Sequence, residues 1–249
     1  MLINIITLKD KLDNDVENAL DQLTTDYSIF PANNGDAISI DKYFITNISR
    51  SIYGRDLRRG EIGCTISHHL LIKKFSMSAD EWSVVCEDDA LVTKEIDRIL
   101  ICIEKIKIDQ PTVLLLGHSK TIPDNMVFQR LKHPLGNKIV LCDYEFGMNK
   151  WVSGCGVGTL SYVINRSAAE ILSQHVKAYW VADDWKLIQN MGINVYHPIY
   201  PFVWEKLSSS STTGNSNRPH HNLFSSRFFR EVAEVIYSRL RLFFYNDYE

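Results

Sequence analysis

Apolar positions fall into two alternating patterns along the first two thirds of the chain. Residues 2–8, 82–86 and 112–116 are short apolar runs of strand length. Residues 62–75 and 96–106 instead place apolar side chains at the i, i+3, i+4 spacing of a helix with one buried face. Residues 157–164 predict another strand, and Ser167-Ala168-Ala169-Glu170 just after it has the spacing of a capping box that opens a helix towards His175. Strand and helix in alternation predict an α/β sandwich with a mostly parallel central sheet. Residues 118–155 show no clear period apart from a strand near 139–142.

There is no internal repeat. The one low-complexity stretch, residues 208–217, is Ser/Thr/Asn/Gly and reads as a loop dividing a body, 1–217, from a tail, 218–249. In the tail Phe228, Val232, Leu240 and Phe243 fall on one helical face, and Arg227, Arg230, Glu231, Glu234 and Arg241 largely on the other. Two readings stand for it: an amphipathic helix docked on the body, or an interfacial helix with aromatics in a membrane and arginines on anionic headgroups.

Composition narrows the classes. A chain of 249 residues with 45% hydrophobic and 23% charged content builds one closed core, which excludes disorder, collagen and coiled coil. The net charge of -3 excludes a globally basic nucleic-acid binder. That average hides an asymmetry: five arginines against two glutamates give residues 218–245 a net +3, leaving −6 for the rest. No run approaches the roughly 18 apolar residues of a membrane span, and the N-terminus lacks the basic start of a signal peptide. The 5 cysteines are odd in number and form no CxxC pair, so they read as buried thiols in a reducing compartment and not as a disulfide framework or structural zinc site. The expected location is the cytoplasm.

Chemistry concentrates at two places. The apolar run 83–86 leads directly into Glu87-Asp88-Asp89, and ligands of open α/β sheets bind beyond the carboxyl ends of strands. Three adjacent like charges repel unless a cation or hydrogen-bond donors neutralise them. Mn²⁺ or Mg²⁺ suits carboxylate oxygens and keeps positions open for phosphate. The plain alternative is a solvated acidic turn. A second pair, Asp183-Asp184, opens the helical run 185–188, where acids also serve as simple N-caps. His197 and His220-His221 are further metal-ligand candidates, whereas His68-His69 reads first as packed histidine. Gly154-Cys155-Gly156 lacks the GxGxxG spacing of a dinucleotide loop and precedes a strand.

With these residues in view, the chain resembles glycosyltransferase family 25, the lipooligosaccharide galactosyltransferase family. Gly60-Glu61-Ile62-Gly63-Cys64-Thr65-Ile66-Ser67-His68 is close to the family's GEIGC-x-x-SH block, and Glu87-Asp88-Asp89-Ala90 to its EDDA block. Phe30 to Gly35 is similar to its A-V-D-G region, with Asn34 in place of the usual Asp. Tyr162 and Ile164 with Ala168-Ala169, then Val181-Ala182-Asp183-Asp184-Trp185, resemble its later blocks. The order holds from about Ile3 to Arg218. The chain departs at Thr7-Leu8-Lys9-Asp10, where members often carry Asn-Leu-x-Arg.

The resemblance implies a GT-A-like, Rossmann-type fold whose N-terminal half binds a nucleotide sugar and whose C-terminal half binds the acceptor. It implies an inverting, metal-dependent hexosyltransferase, most often moving galactose from UDP-galactose onto a terminal sugar of lipooligosaccharide or lipopolysaccharide, on the cytoplasmic face of the inner membrane. Its metal, Mn²⁺ or Mg²⁺, would be held by Asp89 with Asp88 or Glu87; His197 stands beside them as the candidate third ligand read from the residues alone. The general base would be Asp184 first and Asp183 second. Donor contacts would come from Thr7, Leu8, Asn33, Arg59, Ser67 and His68. Two alternatives stand beside it: a metal-dependent nucleotidyltransferase, disfavoured because no Gly-rich phosphate loop follows Leu8, and a non-catalytic glycan- or lipid-binding module.

Overall fold

The computed structural model describes residues 1–119, 135–149 and 158–206, with the single positions 126 and 236. The Ser-rich loop, the tail apart from Ile236, the 154–156 glycine pattern and His220-His221 lie outside the described residues.

In chain order the strands are β1 (Ile3–Thr7), β2 (Tyr27–Pro31), β3 (Trp82–Glu87), β4 (Ala90–Val92), β5 (Thr112–Leu115), β6 (Gly136–Leu141), β7 (Tyr144–Met148), β8 (Ser161–Asn165), β9 (Asn194–Pro198) and β10 (Val203–Glu205). The helices are α1 (Asn14–Leu20), α2 (Ile40–Tyr43), α3 (Thr46–Tyr53), α4 (Arg59–Ser76), α5 (Glu95–Lys105), α6 (Arg166–Ser173) and α7 (Trp185–Asn190). Eight strands form one sheet in the order β2-β1-β3-β8-β5-β9-β7-β6, and β4 pairs with β10 in a small second sheet. Six of the eight run the same way; β8 and β7 run against them. The reversal at β8 follows from connectivity, because the chain leaves β5, passes through the β6–β7 hairpin and returns between β3 and β5.

The central strands read as continuous apolar runs because both of their faces are covered. Alternate residues feed two cores: Ile6, Val85, Val113 and Tyr162 pack with α4 and α6, while Ile5, Val84, Leu114 and Val163 pack with α1 and α5. The result is the mostly parallel α/β sheet predicted by the pattern, in the Rossmann-type sandwich that the family resemblance implies.

Three local expectations are corrected. The β8 strand begins at Ser161. The cap of α6 is Asn165 and not Ser167: its side-chain oxygen accepts from the Ala168 and Thr112 N–H groups while its amide donates to the Ile108 and Gln110 carbonyls. A buried side chain able to satisfy both a helix start and a neighbouring strand outcompetes a serine two residues on. Finally, Cys102 on α5 and Cys142 in the β6–β7 turn form a disulfide, with Cα atoms 6.2 Å apart and a sequence separation of 40. Long-range pairing of this kind leaves no local spacing signal. Cys142 and Asp143 both have positive φ, 47° and 70°, the two-residue turn usually signalled by Asn-Gly. Among the described residues no helix is long and apolar enough to cross a membrane.

Candidate active site

The candidate residues gather at one edge of the sheet, where β1, β3 and β9 end and β8 begins. Helix α4 forms one wall, and the reason lies in its first two turns. Glu61 accepts the Arg58 N–H at 2.7 Å and the Arg55 guanidinium at 2.7 and 2.9 Å. The Arg55 pair, ahead of the Arg58 contacts, holds the Glu61 carboxyl down at about 2. Gly63 lets the 33–35 loop lie directly on the helix: a Cβ there would stand 2.5 Å from the Asn33 carbonyl oxygen and 2.7 Å from the Gly35 nitrogen. Ser67 is fully buried; its hydroxyl donates to the Gly63 carbonyl and accepts the Asn33 N–H, each at 2.7 Å. Ser67 therefore fixes the loop that carries Asn33 and is not itself open to a ligand. Arg59 is exposed at the helix start, and Leu8 is exposed beside Thr7.

The three acids after β3 diverge. Glu87 turns towards α4, where its Oε1 accepts from the Thr159 hydroxyl, lies 3.3 Å from His68 Nε2 and 3.9 Å from Cys64 Sγ. The other ring nitrogen of His68, Nδ1, is 2.9 Å from the Tyr162 hydroxyl. Burial pushes the Glu87 carboxyl up, but His68, Thr159 and Cys64 more than offset it and leave it below its ordinary value. Asp88 turns the other way, accepting from the Thr7 hydroxyl at 2.6 Å and pairing with Lys9 at 3.1 Å. Asp89 has a buried Oδ1 without a hydrogen-bond partner. Burial, then the charges of Glu87, Glu205 and Asp88, push its carboxyl up to about 7.

The second acidic pair is held across this edge by three clamps. The Tyr53 hydroxyl accepts the Val181 N–H, Thr65 Oγ1 accepts the Ala182 N–H, and Trp185 Nε1 donates to the Gly158 carbonyl, each at 3.0 Å. Asp184 caps α7: Oδ1 accepts the Leu187 N–H at 3.0 Å and Oδ2 the Tyr53 hydroxyl at 2.8 Å. Asp183 is half-buried, and burial followed by the charges of Glu87, Asp184 and Glu61 raises its carboxyl. His197 is buried against His118, ring centroids 5.6 Å apart.

The structure thus brings Glu87, His68, Cys64 and Thr159 into one network and sets Asp88, Asp89 and Asp183 around it. Thr159, Tyr162, Tyr53, Thr65 and Lys9 were not singled out as site residues by sequence; only Tyr162 carried a signal, as part of a matching block.

A family model described as "Glycosyltransferase family 25 (LPS biosynthesis protein)" matches residues 1–187, three quarters of the chain. The chain belongs to glycosyltransferase family 25. As a family 25 member it is a glycosyltransferase of lipopolysaccharide biosynthesis. No curated protein matches it. Solved structures similar to this transferase include A197 from STIV, at 10% identity and a TM-score of 0.40, covering 81% of this chain and 82% of that one. The inositol-1-phosphate CTP transferase from T. maritima is 11% identical, TM-score 0.33, covering 88% and 71%. The galactosyltransferase LgtC, in complex with donor and acceptor sugar analogs, is 13% identical, TM-score 0.35, covering 79% and 73%.

Proposed function

We propose that this transferase moves a hexose, galactose from UDP-galactose, onto a terminal sugar of lipooligosaccharide with inversion, and that Asp89 and Asp183 carry the reaction. The observation that supports it is that the Glu87 charge acts on two raised carboxyls, Asp89, which has an unpartnered buried oxygen, and Asp183. An acidic group that resists ionising because it is buried, and then because its neighbours are acidic, is the setting a divalent cation relieves. Asp89, with Asp88, would hold Mn²⁺ or Mg²⁺, whose chemistry is to neutralise charge on the diphosphate of the leaving nucleotide.

The chain's own residues do the rest. Asp183 accepts the proton of the acceptor hydroxyl as its oxygen attacks the anomeric carbon and the bond to UDP breaks. A raised carboxyl is the better base near neutral pH, and such proton removal contributes about 10²–10⁴-fold. Asp184, with both oxygens occupied, aims Asp183 by capping α7. Thr7, Leu8, Asn33 and Arg59 line the donor side, and Ser67 and His68 support it from behind. The tail, basic and aromatic by sequence, brings the enzyme to an anionic membrane surface where the acceptor lipid lies.

The test is incubation with UDP-galactose, UDP-glucose and UDP-GlcNAc, with lipooligosaccharide acceptor, with and without Mn²⁺, following nucleotide release. Metal-dependent UDP from UDP-galactose is expected. No UDP from any donor, or pyrophosphate release from a sugar phosphate and a nucleoside triphosphate instead, would overturn the reading. For the tail, removal of residues 222–249 is expected to abolish binding to anionic vesicles; unchanged binding contradicts it.

A further inference from the structure

The network at Glu87 includes a thiol, Cys64, that the transfer reaction does not use. Cys64 and His68 are four residues apart on α4 and so share one face. Glu87 meets them from the end of β3, and one potential ligand atom from each of the three lies within 4.8 Å of the others. Thr159 supplies a hydroxyl to the same point, 3.9 Å from Cys64 Sγ. Cys64 is half-buried.

We propose that Cys64, His68 and Glu87 form a binding site for a borderline divalent transition metal, Zn²⁺ or Co²⁺, separate from the hard-cation position at Asp88 and Asp89. Sulfur, imidazole and a single carboxylate select such ions over Mg²⁺, and three protein ligands with one open position is a standard zinc arrangement. A ligating histidine is usually held through its second ring nitrogen, and His68 has that support: its Nδ1 bonds the Tyr162 hydroxyl, which orients Nε2 towards Glu87. The Tyr162 side chain is itself buried and locked edge-on against Trp185. Binding displaces the thiol proton of Cys64 as the metal–sulfur bond forms. The occupied site ties the start of the acidic turn to α4, which makes it a place where zinc modulates transfer.

The experiment is titration of the full-length chain with Co²⁺ in the absence of nucleotide, following the thiolate-to-cobalt charge-transfer band. The proposal expects a saturable band at one equivalent, bleached by Zn²⁺ and unaffected by Mg²⁺. Tyr162→Phe, which removes only the supporting hydroxyl, is expected to weaken Co²⁺ binding by about 10–100-fold, and Cys64→Ser to abolish the band. A band that persists in a folded Cys64→Ser protein, or no band in the unmutated chain, overturns the site. Alkylation keeps the question decidable if that variant misfolds: Zn²⁺ should protect Cys64 from iodoacetamide in the unmutated protein, and unchanged labelling refutes the proposal. None of these readouts depends on which sugar is transferred, so a failure here is distinguishable from a failure of the transfer reading.

Discussion

Replacing Asp89 by Asn should stabilise the cation-free protein while abolishing its chemistry. In the folded state the Asp89 carboxyl is pushed up to about 7 from an ordinary value of 3.8, first by burial and then by Glu87, Glu205 and Asp88. At pH 8 it is ionised in both states, and holding that charge in the fold costs about 4 kcal/mol as a ceiling, from 1.36 kcal/mol per unit. The side chain is partly open to water and its neighbours relax, so about 2 kcal/mol is the working figure. For a chain of this size that corresponds to a rise in Tm of about 4–8 °C in Asp89→Asn. The sign is fixed by linkage: the folded state keeps the proton longer than the unfolded state, so the stability is fully present below about pH 4 and is lost as pH rises through about 7. Thermal unfolding of both proteins in EDTA, from pH 4 to pH 8, is the assay. The gap should be near zero at pH 4 and open towards pH 8. A variant no more stable than the parent at pH 8, or a gap independent of pH, would refute the reasoning.

Three further outcomes follow from the same geometry. Asp183→Asn should lower kcat by about 10²–10⁴-fold with little change in Tm, whereas Asp184→Ala should first cost about 0.5–2 kcal/mol of stability as a lost cap; steady-state kinetics and melting of the pair separate the two. Gly63→Ala should destabilise the fold by about 1–3 kcal/mol because its Cβ meets loop backbone, and should raise the KM for donor by displacing Asn33; an unchanged Tm contradicts the close packing. Reducing the Cys102–Cys142 bridge should cost up to about 4 kcal/mol, the loop-closure figure for the 40-residue separation. A Tm insensitive to reductant, with both thiols alkylating in the untreated native protein, contradicts the bridge.

The legible parts of the fold were those whose periodicity reflects burial. The runs that became β1, β3 and β5 are apolar because both faces of the sheet are covered, and α4 and α5 show their stripe because one face packs. Of the β6–β7 hairpin only a strand near 139–142 was legible; its pairing with β7 escaped because the turn is built on Cys142-Asp143 in place of a recognisable turn pair, and its tether is a disulfide to a distant helix. At the site, sequence located Glu87-Asp88-Asp89 and Asp183-Asp184 but not the direction of each side chain. Adjacent residues leave a strand end in different directions, so the three acids reach three different neighbours: α4, Lys9 and an unpartnered interior. The same limit placed Ser67 among donor contacts, when its hydroxyl is spent on the Asn33 loop. The bond from Tyr53, on a separate helix, that occupies Asp184 is likewise invisible along the chain.

The most direct measurement is NMR of the glycoside formed from UDP-galactose and lipooligosaccharide, comparing the unmutated enzyme with Asp183→Asn in Mn²⁺ and in EDTA. The account predicts a β-linked galactoside made by the unmutated enzyme only when the cation is present, and almost none from the variant. An α-linked product, turnover in EDTA, or full activity without the Asp183 carboxylate would contradict it.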